Sequence, residues 1–315
     1  MQKRRIIYIC AIAILIVLTV MLSSKTYKNE KRHEDISFSF NDTLPDGEGR
    51  IATVILLGGQ SNASGCSRDD YLKKYVSAEK YEQYQNGFDN VYINYVSGPK
   101  TSNGFVKCGS LQGELDGCFG PELGIADKLN EMYPDKTFYI IKCAWGGSNL
   151  CAQWLSPSSQ GRTGELYEYF VAFVKANIDY LVSKNYRVRI EGMCWMQGES
   201  DSIETRVAQS YEMRLSNFIT DIRKEFRGHS SYNGIAFVDA YIANTPEYWR
   251  YYELINKSKD TVAASSPMNT VIDTVAHGLT CSKEPLEAPD LAHYDSMSGL
   301  KLGHLFAEEI AKFFD

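Results

Sequence analysis

Short apolar, β-branched runs alternate with longer amphipathic ones along most of this chain, and that alternation constrains the fold more than any other feature of the sequence. Strands joined through helices lie parallel, with helices covering both faces of their sheet. The runs predict strands at 51 to 58, 91 to 96, 137 to 143, 188 to 195, 234 to 239 and 270 to 275. Helices are predicted near 69 to 85, 121 to 132, 163 to 184, 203 to 227, 246 to 260 and 297 to 313. The last of these has Leu300, Leu302, Leu305, Phe306 and Ile310 on or near one face. The implied architecture is an α/β three-layer domain. In an open parallel sheet the ligand site forms beyond the carboxyl ends of the strands, where backbone N–H groups and helix N-termini converge. Residues that carry chemistry are therefore expected just after strands.

The first 22 residues follow a different pattern, because Lys3, Arg4 and Arg5 precede an uncharged apolar run from Ile6 to Leu22. As a helix rising about 1.5 Å per residue, the run is roughly 25 Å long against a bilayer core of about 30 Å. Residues 1–22 are read as a membrane anchor or a signal segment, 23–49 as a polar stem or linker, and 50–315 as the folded domain. A cell-surface location, anchored by the N-terminal segment or secreted, follows from that order. Flanking charges do not set the topology, since Lys25, Lys28, Lys31 and Arg32 lie on the far side of the run. The formal charge of -6 is spread among interspersed acids and bases. Without a basic stripe, nucleic acid is excluded as a partner.

Seven cysteines follow the apolar run, an odd number that excludes complete internal pairing. None has CxxC spacing, so no structural zinc site is expected, and the histidines offer no convergent set of ligands. Cys108 and Cys118 can close a loop in an oxidising compartment; seven free thiols are the alternative. No metal and no cofactor are expected. The stretch from Ser97 to Phe119, rich in Gly and Ser, reads as a long loop of the kind that shapes a site.

Three segments at strand exits stand out. After the first strand comes Gly58-Gly59-Gln60-Ser61-Asn62-Ala63-Ser64-Gly65, a serine among small neighbours that permit close approach of a substrate. After the third comes Ala144-Trp145-Gly146-Gly147-Ser148-Asn149, whose unshielded glycine N–H groups can face a tetrahedral intermediate or simply form a tight turn. After the fourth comes Trp195-Met196-Gln197-Gly198-Glu199-Ser200-Asp201. Gln197 offers an amide donor, while Glu199 and Asp201 brace the loop or cap the helix starting near Ile203. Among the histidines, His33 lies in the stem, His229 precedes a strand and His304 lies inside the last helix. Of the remaining two, His293 has Asp290 three residues before it, so a local turn can bring that carboxylate to the imidazole. His277 has Asp273 four positions before it, but within a presumed strand.

These blocks, with the terminal Asp-x-x-His followed by Gly299 and Leu302-Gly303, resemble the successive sequence blocks of SGNH hydrolases. More narrowly they are similar to the sialate O-acetylesterase and acetylxylan esterase branch, carbohydrate esterase family six. The resemblance spans about residue 51 to the C-terminus. It implies a flavodoxin-like fold with a central parallel sheet of about five strands. It implies Ser61 as nucleophile, His293 as general base and Asp290 as its orienter. It further implies an oxyanion hole from the Ser61 N–H, a glycine of the Gly146-Gly147 pair and Gln197, supported by Gln60, Asn62 and Glu199. Gln-Gly-Glu-Ser-Asp replaces the superfamily's Gly-x-Asn-Asp, which leaves Gln197 and Ser200 as alternative holders of the Asn role.

The expected activity is hydrolysis of O-acetyl esters on a sialic acid, xylan or other glycan. Tyr241, Tyr248, Trp249, Tyr251 and Tyr252 follow the fifth strand, as sugar-stacking faces or as a buried helix face. A lipase or thioesterase on the same scaffold needs a long apolar groove that the sequence does not offer. A surface glycan-binding protein without turnover has no need of Ser61, Asp290 and His293 together.

Overall fold

The computed structural model describes residues 36–314. Its strands are β1 (Ile51–Gly59), β2 (Val91–Ser97), β3 (Phe138–Ala144), β4 (Arg187–Met196), β5 (Ala236–Ala240) and β6 (Asn269–Ile272). They lie in the order β6-β5-β4-β1-β3-β2, and every pair among them is parallel. Two short pieces, Lys100–Thr101 and Val106–Lys107, pair antiparallel with β2 and make the sheet eight-stranded. The sheet is thus wider than the five strands expected. Sequence patterns find strands buried on both faces more easily than short edge pieces that bury little.

The helices are α1 (Ser61–Ser64), α2 (Asp69–Tyr75), α3 (Ala78–Asn86), α4 (Pro121–Met132), α5 (Glu165–Ser183), α6 (Thr205–Gln209), α7 (Tyr211–Glu225), α8 (Tyr252–Ala264) and α9 (Ser296–Ala311). The helix expected over 69 to 85 is broken, because Val76 is extended and Ser77 starts a new helix by accepting from the Lys80 N–H at 3.1 Å. A serine hydroxyl that satisfies an orphan N–H favours a start over a continuation. The helix expected over 203 to 227 likewise divides at Ser210.

β1 occupies the centre, buried from Ala52 to Gly59. Its neighbours are β3 on one side and β4 on the other, so the chain reverses its direction of travel across the sheet at β1. The carboxyl ends of β1, β3 and β4, each followed by one of the three singled-out segments, are therefore brought side by side at a topological switch point.

The domain begins earlier than the sequence suggested. Phe38 meets Tyr169 and Phe173 with ring centroids 5.3 and 5.2 Å apart, and Phe40 meets Phe173 and Tyr180 at 5.9 and 6.1 Å. Leu44 is 3% exposed, and the Tyr180 hydroxyl accepts the N–H groups of Thr43 and Leu44 at 3.1 and 3.2 Å. The expected stem boundary at 49 is corrected to about Phe38. The segment runs extended along α5 on a few apolar side chains, so it has no periodicity to read. Among the described residues no helix is long and apolar enough to cross a membrane; the anchor expected over 1–22 lies outside them. All seven cysteines after the apolar run are free, Cys108 and Cys118 included.

Because Leu44 is buried, Leu44→Ala should cost about 2–5 kcal/mol of stability, the range for emptying such a site. Urea denaturation measures it; a change under about 0.5 kcal/mol would mean that residues 38–49 contribute no docking energy.

Candidate active site

β1 passes directly into the turn that carries Ser61. Gly59 has φ 139, and a Cβ there would meet the Met196 carbonyl oxygen at 2.0 Å. Only glycine lets the strand exit run this close to β4, where the Gln60 N–H donates to Met196 O at 2.9 Å. Ser61 opens α1 and is 9% exposed. Its N–H has no carbonyl partner among the described residues, as expected for the first turn of a helix.

The side chains on either side of Ser61 fix the turn to two other loops. Gln60 Oε1 accepts from Gln197 Nε2, Ser200 N and Gly198 N at 3.2, 3.2 and 3.3 Å. Asn62 Nδ2 donates to Glu199 Oε1 at 2.8 Å and to Ala292 O at 3.3 Å, while its Oδ1 accepts the Tyr294 N–H at 3.0 Å. His293 lies between the two residues that Asn62 grips, so the amide next to Ser61 carries the histidine loop to the turn. Ser67 Oγ adds a bond to Tyr294 O at 3.0 Å.

Asp290 meets its expected partner: its Oδ2 is 2.6 Å from His293 Nδ1, and its Oδ1 accepts the Ala292 N–H at 3.0 Å. His277 is exposed, and Asp273 Oδ1 accepts the Ala276 N–H at 2.9 Å. His304 Nε2 lies 2.9 Å from Asp127 in the interface between α9 and α4.

One neighbour of the imidazole was not foreseen. Cys66 lies near enough to the His293 ring to act on its charge, and among the described residues no hydrogen bond joins Ser61 Oγ to that ring. Burial alone would lower the His293 pKa, but attraction to Cys66 and the bond to Asp290 outweigh it and hold the value well above the ordinary one. Burial likewise opposes the ionised Asp290, and the bond to His293 overcomes it to hold that carboxyl below its usual range. The only sequence signal for Cys66 was its place in the Ser61 segment.

Two of the expected oxyanion donors are already engaged. The Gly146 N–H donates to Glu114 Oε2 at 3.0 Å. Gln197, fully buried, directs its Nε2 at Asp201 Oδ2, Gln60 Oε1 and Ser148 O at 2.6, 3.2 and 3.3 Å. Gln197 is thus the hub of the third loop rather than an open donor, because a buried amide must satisfy both N–H groups internally. Gly147 differs: it is exposed, sits at φ 68 where a side chain would be strained, and its N–H has no partner among the described residues. Of the expected oxyanion donors, the N–H groups of Ser61 and Gly147 are the two without a partner among the described residues. Asp201 caps neither the helix nor the substrate; it accepts the Leu150 and Cys151 N–H groups at 2.8 and 3.0 Å.

Two buried lysines hold these loops from below, a feature the sequence analysis missed although Lys142 sits in an otherwise apolar strand. Lys142 Nζ bonds Glu122 Oε2 at 2.7 Å and Ser64 O at 2.9 Å. Lys259 Nζ bonds Asp239 Oδ1, Gln197 O and Ala240 O at 2.6, 2.7 and 2.8 Å. Glu199, also fully buried, has its carboxyl pKa raised by burial, against the bond from Asn62. Of the aromatic residues after β5, Tyr251 anchors its N–H on Ser202 O at 2.8 Å, and the rings of Tyr248 and Trp249 lie 6.0 Å apart and tilted by 56°, so the cluster borders the third loop half-buried. Among the described residues no group of three His, Cys, Asp or Glu side chains converges as a metal site.

Residues 52–312 match the model of the family described as carbohydrate esterase, sialic acid-specific acetylesterase. The chain belongs to this family. A probable 9-O-acetyl-N-acetylneuraminic acid deacetylase of Escherichia coli (strain K12) is 28% identical over 147 residues, 42% of this chain and 44% of that protein. The chain thus aligns with less than half the length of this relative. Among solved structures, a protein from Arabidopsis thaliana superimposes with a TM-score of 0.59 at 16% identity, covering 84% of this chain and 99% of the other. NanS gives 0.59 at 18% identity, covering 85% and 98%. These likenesses establish the α/β fold with its mostly parallel sheet.

A base must be neutral to accept a proton, so activity should rise as His293 deprotonates, with a midpoint above about 6.5, the ordinary imidazole value. Cys66→Ala removes one attraction that favours the imidazolium and should move the acid limb of kcat/KM to lower pH. A limb that stays put in Cys66→Ala would show that the thiol does not act on the base.

Proposed function

We propose that this chain is a serine esterase that removes O-acetyl groups from carbohydrates. The observation that carries the reading is the Asn62 clasp, which seats the Asp290–His293 pair against the Ser61 turn. Ser61 Oγ attacks the acetyl carbonyl while His293 takes its proton, and the oxyanion is received by the N–H groups of Ser61 and Gly147. Collapse expels the sugar hydroxyl, which regains a proton from His293 and leaves an acetyl ester on Ser61. Water, deprotonated by the same imidazole, then attacks that ester and releases acetate. Asp290 holds the imidazole tautomer and orientation throughout. Ser61 and His293 pair during turnover, when His293 leaves Cys66; such bonds often tighten only with substrate bound.

The substrate is an acetylated sialic acid, xylan or other glycan, and the family description and the deacetylase relative favour an acetylated sialic acid. The proposed place of action is the cell surface, with the enzyme anchored by residues 1–22 or secreted, a reading supported by the basic residues and the uncharged run at the N-terminus.

Acetate release from acetylated sialosides and xylan by purified protein tests the proposal. Ser61→Ala and His293→Ala should each lose about a thousandfold or more in kcat, and the double variant should be scarcely worse, because such groups act as a unit. A folded Ser61→Ala protein with substantial turnover, or a wild-type protein that binds acetylated glycans without releasing acetate, would refute it. Activity should also survive dialysis against a chelator; loss restored by a divalent cation would contradict the metal-free mechanism.

A further inference from the structure

We infer that Glu114 is a positioning residue that sets the oxyanion geometry of this esterase, an inference resting on the function proposed above. Glu114 comes from the long loop after β2, far in sequence from all three site segments. Its backbone is seated first: the Glu114 N–H donates to Gly65 O at 2.9 Å, just past the end of α1. One carboxylate oxygen then bridges two elements. Oε2 accepts the Ser64 hydroxyl at 2.5 Å and the Gly146 N–H at 3.0 Å. Ser64 is the last residue of α1, the helix that Ser61 opens, and Gly146 immediately precedes Gly147.

The two free oxyanion donors therefore belong to segments tied together through a single atom. Both segments are short and glycine-rich, and each would otherwise have its own freedom. The carboxylate also packs where side chains are missing, since a Cβ on Gly146 or Gly98 would come within 2.7 or 2.6 Å of it. The Glu114 carboxyl thus selects one separation between the Ser61 and Gly147 N–H groups. An oxyanion hole acts only when its donors are already aimed at the oxygen, so a loosened bridge lowers transition-state binding more than substrate binding. Glu114 itself touches no reacting atom in this mechanism. A glutamine retains a carbonyl oxygen able to accept both bonds, whereas alanine retains none.

The test compares Glu114→Ala, Glu114→Gln and Ser64→Ala with wild type on one acetyl ester, measuring kcat and KM separately with folding checked by circular dichroism and melting. Glu114→Ala should lower kcat about tenfold to a hundredfold with KM within about threefold, the mark of a lost transition-state interaction. Glu114→Gln should recover most of that loss, and Ser64→Ala, which removes one arm of the bridge, should fall between. The acid limb of the pH profile should stay in place in Glu114→Ala, since the base is untouched. A folded Glu114→Ala enzyme within threefold of wild-type kcat, an effect confined to KM, or a Glu114→Gln variant as impaired as alanine would overturn the inference. Should Glu114→Ala not fold, Ser64→Ala and Glu114→Gln decide it: wild-type kcat in Ser64→Ala, or an alanine-scale loss in Glu114→Gln, overturns it. A wild-type protein without esterase activity, or one indifferent to Ser61→Ala, would instead overturn the proposed function, so the two failures are distinguishable.

Discussion

The side-chain amide of Asn62 is the contact on which the site depends. Nothing covalent or local joins the strand-exit turn at Ser61 to the loop that holds His293, which lies more than two hundred residues further along the chain. Two hydrogen bonds of one buried amide, one donated and one accepted, make that connection, and a third reaches Glu199 on another loop. In a buried setting each bond is strengthened by low polarity, and each would be costly to leave unmade. The amide can therefore hold three loops in one arrangement and admits few others.

Around this clasp the structure repeats one device, a buried polar side chain that gathers loop backbone. Gln60 gathers the loop after β4, Asp201 the turn at Leu150 and Cys151, and Glu114 the Gly146 turn. Below them Lys142 and Lys259 are fully desolvated but each is paired with a carboxylate and with carbonyl oxygens. A buried charge is tolerable only when so paired, and removing one partner strands the other. Burial pushes the Asp239 carboxyl up to about 6 even beside Lys259, a sign of how thoroughly water is excluded under the third loop. A supporting layer of this kind fixes the free N–H groups before substrate arrives, and electrostatic catalysis requires donors fixed in advance.

The electrostatics of the base follow from the same crowding. His293 has Asp290 on Nδ1 and Cys66 nearby, and both favour the imidazolium over the neutral ring. Ser61 and Cys66 lie on one short stretch that Asn62 and Ser67 fix against the His293 loop.

The sequence by itself determined the layered fold and the short segments that meet at the candidate site, because both are local in origin. Hydrophobic periodicity marks strands and helices, and Ser61, the Gly146-Gly147 pair, Asp290 and His293 each sit in a short segment whose position after a strand or within one turn can be read directly. The Asp290–His293 pair was legible because three residues of chain bring its members together. What only the tertiary structure decided is which polar group faces which across loops. The sequence could offer Gly146, Gly147 and Gln197 as equivalent donors, but the fold spends Gly146 on Glu114 and Gln197 on its neighbours and leaves Gly147 free. Cys66 beside His293, Glu114 between two turns, and the docking of Phe38 and Leu44 along α5 were likewise invisible, since each is a non-local contact made by side chains with no periodicity of their own. Periodicity records which face of an element is buried; it carries no record of the partner met there, and hydrogen-bond assignment in a crowded site is settled only when every competing donor and acceptor is in place.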